Sequence, residues 1–76
     1  MKDTATLTVT LTVGALHRRS LFYNIEQTCL KHEIQWESTQ QWGLLETRRT
    51  YRFTGPVVPV RALGAAIRSW VDEVNA

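Results

Sequence analysis

Polar and apolar residues alternate strictly from Thr4 to Val13: every even position is threonine, and every odd one from Ala5 onward is apolar. A helix brings side chains round about every 3.6 residues, so a period of two belongs to a strand with one buried and one wet face. Val and Thr suit that pleat because their branched Cβ leaves χ1 little freedom to lose. Leu7, Val9, Leu11 and Val13 therefore form the expected inner face, and the remaining elements pack against it.

Gly14 ends the alternation, and the residues from Leu16 to Ser20 lead into a helix. Leu21, Phe22, Ile25, Cys29 and Leu30 fall on one side at helical spacing, with Glu26, Gln27 and Lys31 opposite. Ser20 or His17 marks its start, and it stops near His32. From Glu33 the period returns to two, with Ile34, Trp36, Ser38, Gln40 and Trp42 on one side. Gly43 marks a turn, and Leu45 to Thr54 reads as a third strand with Leu45, Tyr51 and Phe53 inward.

A hairpin centred on Trp42-Gly43 sets Ile34 against Tyr51 and Trp36 against Arg49 inside, and Glu37 against Arg48 and Glu33 against Arg52 outside. Opposite charges directly across strands are worth roughly 0.2–1 kcal/mol each. Pro56 and Pro59 close the strand, and Pro59 suits the first position of a helix. Val60, Leu63, Ile67, Trp70, Val71 and Val74 then make an apolar helical stripe. Gly64, Ala65 and Ala66 thin its flank for close approach.

The element order is β-α-β-β-α, an α+β chain with a three-stranded antiparallel or mixed sheet and both helices on one face. It resembles the ferredoxin-like topology lacking its last strand, a resemblance of topology alone that spans the whole chain. That topology implies a right-handed crossover from the first strand to the second, a sheet order of 1-3-2, and an empty place beside the first strand.

Length and composition narrow the class. Seventy-six residues read as one domain, residues 1–76, with 43% hydrophobic residues for a modest core. The single cysteine, Cys29, excludes an internal disulfide. With no apolar run long enough to span a bilayer, the expectation is a cytoplasmic protein with no membrane partner. Net charge is only +2, yet between Glu46 and Asp72 there are five arginines and no acid. Arg18 and Arg19 form a second basic pair, which raises the prospect of an anionic partner.

Site chemistry is sparse. There is no Gly-rich phosphate loop, no H-E-x-x-H and no nucleophile elbow. Cys29-x-x-His32 is two ligands short of a structural zinc site, and Cys29 lies on the buried stripe. His17 and His32 sit at opposite helix ends, roughly 22 Å apart at helical rise, too far for one site. No catalytic residue, metal or cofactor is expected, and the chain does not read as an enzyme.

Three features remain. Thr6, Thr8 and Thr10 lie on a long first strand with no Lys, Pro or bulge to protect its edge, so homodimer formation or strand addition by a partner is expected there. Trp42, Arg48 and Arg49 lie toward the hairpin tip, where the inner positions turn polar (Ser38, Gln40, Thr47, Arg49) and the helices are not expected to cover the sheet. Trp and Arg are enriched at binding hot spots. Arg18, Arg19, Arg52, Arg61 and Arg68 provide an alternative nucleic-acid surface, although the aromatics that stack bases point inward. The reading is a protein-binding regulator or inhibitor that occludes a larger partner, in the size class of small phage and mobile-element inhibitors such as anti-CRISPR proteins. Nucleic-acid binding and edge-paired assembly are the alternatives.

Overall fold

Two constraints shape the fold: an inner row of apolar residues on each strand, and two helices that must cover them on one face. The structure is a computed structural model that describes residues 3–14 and 16–75. Strand β1 (Thr4–Gly14) is followed by helix α1 (Arg18–Lys31), strands β2 (Gln35–Trp42) and β3 (Glu46–Pro56), and helix α2 (Val57–Asn75). The strands form one sheet of order β1-β3-β2. Both pairings are antiparallel.

The β1·β3 ladder runs unbroken from Thr4 opposite Pro56 to Gly14 opposite Glu46. The inner residues Leu11, Val13, Tyr51 and Phe53 are buried with Leu21, Phe22, Ile25 and Cys29 of α1 and Val60, Leu63 and Ile67 of α2. Tyr51 stacks on Phe53 with ring centroids 5.1 Å apart, and Phe22 meets Tyr51 edge-on at 6.1 Å. Such aromatic pairs add stability beyond the area they bury. The outer face carries threonines, Gln, Glu and Arg and stays largely open to water.

The β2·β3 register differs from the sequence expectation by four residues. Trp36 lies opposite Phe53, Glu37 opposite Arg52, Gln40 opposite Arg49 and Gln41 opposite Arg48. The turn is at Leu44-Leu45, closed by Gly43 N–H donating to Glu46 O at 2.9 Å. Leu45 is thus exposed in the loop, not inward on the strand. A Cβ at Gly43 would come within 2.7 Å of Glu46 O, which reserves the position for glycine. Because four is even, each side chain keeps its face; only its partner changes.

Four further expectations shift. Trp70 and Val71 are half-buried at the margin of the core, and Val74 is half-buried beyond them. Helix α2 starts at Val57, two residues before Pro59. Leu30 is exposed. Toward the hairpin tip the inner face is covered more than its polarity suggested. Thr47 is buried and Arg49 half-buried under α1, while Ser38 is exposed.

Helix α1 ends without a glycine. Glu33, at φ 58°, takes the left-handed position just past the helix. Ile34 N–H then reaches back to Cys29 O at 2.9 Å, the six-to-one bond of a Schellman cap, and Ile34 and Cys29 both join the core. An L-residue pays roughly 1–2 kcal/mol for that backbone region. Replacing Glu33→Gly should raise unfolding stability by about 0.5–1 kcal/mol, read as a shifted urea midpoint at unchanged m-value. A variant no more stable than the parent would show that the cap carries no strain.

Candidate partner interface

At the end of the sheet where β1 finishes and β3 begins, the chain places four large apolar side chains in water. Leu44 is 102%, Leu16 92%, Leu45 84% and Trp42 69% exposed. They share one end because Gly14 lies opposite Glu46, and the turn that donates His17 N–H to Gly14 O carries Leu16. Leu44 and Leu45 are forced outward by the tightness of the turn, which leaves them no core to enter.

Arginines surround this apolar tip. Arg18, in the first turn of α1, donates from Nη1 to Thr47 Oγ1 at 3.2 Å, and its guanidinium lies 4.8 Å from the Trp42 ring centre. Trp42 is therefore both projecting and held from one side by the helix start. Arg19 and Arg48 are exposed nearby, with Glu46 as the acid at the turn.

Behind the tip lies a half-buried polar cluster that joins α1 to the hairpin. Arg49 Nε donates to Gln40 Oε1 at 2.7 Å, and Arg49 Nη1 donates to Glu26 Oε2 at 3.1 Å and to the Tyr51 hydroxyl at 2.9 Å. The Tyr51 hydroxyl donates to Glu26 Oε2 at 2.9 Å. The Arg49 guanidinium also lies 4.2 Å from the Phe22 ring centre. Arg49, expected as a contact residue, has its Nε and Nη1 donors occupied within the chain, where it ties the hairpin to α1. The Glu26–Arg49 pairing escaped sequence reasoning because it joins a helix to a strand 23 positions away, and no local period reports it.

The other sequence candidates are dispersed. Thr6, Thr8 and Thr10 are exposed on the outer face of β1, and Thr10 Oγ1 shares a 3.0 Å hydrogen bond with Thr50 Oγ1. Arg48 is exposed on the same face opposite Gln41 and Thr12, and Arg52 opposite Glu37 and Thr8. Arg61 lies on the first turns of α2, at the far end of the molecule from Arg18 and Arg19. Arg68 flanks the β1 edge. The five arginines of the nucleic-acid alternative thus do not converge on one surface. Among the described residues, no group of three or more His, Cys, Asp or Glu is placed to hold a metal ion, and no helix is long and apolar enough to cross a membrane.

Burial pushes the Cys29 thiol up to about 11, with Glu26 adding to it. Burial likewise pushes the Tyr51 hydroxyl up to about 12; the bonds to Arg49 and Glu26 act in opposite directions. Because Tyr51 ionises less readily folded than unfolded, its share of stability is complete below the ordinary tyrosine value of about 10 and is lost as pH rises toward 12. Tyr51→Phe should cost about 1 kcal/mol at neutral pH and make the alkaline fall in stability less steep than in the wild type. Denaturant unfolding from neutral pH into that window checks both; identical pH slopes in the two proteins would refute the assignment. No family model, curated protein or solved structure matches this chain.

Proposed function

We propose that this chain is a non-enzymatic protein-binding module, a regulator or inhibitor that occludes a larger partner through its hairpin-tip end. The observation that carries this is the exposed set Leu16, Trp42, Leu44 and Leu45 gathered at one end. Several apolar residues left in water at one end of a molecule are the mark of an interaction surface, whereas single exposed leucines are ordinary. Arg18 and Arg19 beside them favour an apolar pocket rimmed by acidic groups as the complementary surface. Trp42 is the natural anchor, since a ring held against a guanidinium loses little freedom on binding.

The narrow shape supports occlusion. The molecule extends 45 × 23 × 16 Å, so its tip can enter a cleft while the body stands outside. Nucleic-acid binding by the sheet would need exposed stacking aromatics on its open face. The open sheet face has threonine, glutamine, glutamate and arginine instead.

Leu44→Ser combined with Leu45→Ser tests the reading, because both side chains stand clear of the core. Unfolding stability should stay within about 0.5 kcal/mol of the wild type. Affinity capture from the source cell, identified by mass spectrometry, should yield a protein with the wild type that the double variant and Trp42→Ala lose. A partner retained equally by all three would overturn the tip assignment. A nucleic-acid complex in mobility-shift gels that weakens steeply with added salt would favour the alternative.

A further inference from the structure

We propose that two copies of this chain pair through the free edges of β1, with their α2 helices meeting across a two-fold axis near Thr10. This goes beyond the tip reading and does not depend on it. Among the described residues β1 is bonded on one side only, to β3, over a ladder of 11 residues, and the stretch from Thr4 to Val13 has no Lys, Pro or bulge. A regular edge of that length presents a row of unpaired backbone groups ready to accept another strand. Its inner face is also unevenly covered: Leu11 and Val13 are buried, but Ala5, Leu7 and Val9 only half so. With Gly64, Ile67, Arg68, Val71 and Asp72 of α2, residues Leu7 to Leu11 line a shallow groove along this edge.

The occupant favoured by charge is a second copy. α2 follows β3 at the Thr4 end of β1, and Gly64 abuts Leu7, where an added Cβ would fall 2.9 Å from Leu7 Cδ2. From that anchor α2 and β1 run in the same direction. At about 1.5 Å per helical residue and about 3.3 Å per strand residue, Arg68 comes level with Val9 and Asp72 with Leu11. The midpoint is Thr10. Antiparallel pairing of β1 with its copy about an axis there sets the second α2 antiparallel beside the first. Arg68 of each copy then lies level with Asp72 of the partner subunit. Both residues are exposed, and neither forms an ion pair among the described residues. A two-fold arrangement satisfies both contacts at once, because an isologous interface repeats each pair. The groove becomes shared, and the half-buried Val9 and Val71 of both copies leave water together.

Light scattering coupled to size-exclusion chromatography, with sedimentation to obtain the dissociation constant, tests this. The wild type should be dimeric at micromolar concentration. Arg68→Asp and Asp72→Arg should each weaken the dimer at least about tenfold, because like charges then face each other. R68D/D72R together should restore pairing, and a mixture of the two single variants should form the heterodimer in preference to either homodimer. Helical circular dichroism should be unchanged throughout, since both side chains are in solvent. A wild type monomeric at high micromolar concentration would overturn the proposal. So would a dimer indifferent to both charge reversals, which would assign association to another surface such as the tip.

Discussion

Tyr51 holds the two halves of this fold together. Its ring, fully buried on the central strand, stacks on Phe53 and receives the edge of Phe22 from α1. Its hydroxyl reaches the margin of the core and meets Glu26 and Arg49. The apolar part binds helix to sheet without direction; the polar part fixes how far α1 stands from the hairpin. Arg49 adds both characters in one side chain, with bonds to Gln40, Glu26 and Tyr51 and its flat face toward Phe22. A buried hydroxyl with satisfied partners specifies one arrangement where an all-apolar contact would tolerate several.

Periodicity carried most of the fold. The switch from two to helical spacing and back placed all five elements, and the inner and outer faces followed from parity. Turn position was the weak point. Trp42-Gly43 carries a glycine, the usual turn signal, whereas the actual turn at Leu44-Leu45 has neither Gly, Asn nor Asp at its centre. Charge pairing did not expose the error, because Arg48 and Arg52 are four residues apart and either offers Glu37 an opposite charge. Correct faces were therefore compatible with a wrong register.

The candidate site was legible only in part. Trp42 stood out because an aromatic at the polar end of a strand has little core to enter. Leu16 and Leu45 did not, since a leucine gives no hint of exposure until the turn is located. Conversely, the polar inner residues Thr47 and Arg49 read as an uncovered sheet, yet they are where α1 makes its directional bonds. Arg18 connects the two observations: one guanidinium bonds Thr47 inside and covers Trp42 outside. The tip is thus braced from the helix.

All strand pairing passes through β3, and the two ladders close at very different cost. β2 meets β3 through a two-residue turn, whereas β1 reaches β3 only after α1 and β2 have been traversed, with Thr4 opposite Pro56 at the far extreme. Loop-closure entropy grows with the length of chain enclosed, so the hairpin is the inexpensive nucleus and the β1 ladder the late event. The strand with the most repetitive sequence is therefore also the one that waits longest for its partner. Every register of T-x-T-x-T shifted by two residues keeps threonine out and an apolar side chain in. Within the ladder, Gly64 of α2 leaves room for Leu7, where an added Cβ would fall 2.9 Å from Leu7 Cδ2, so a slipped β1 would set a different side chain against that glycine.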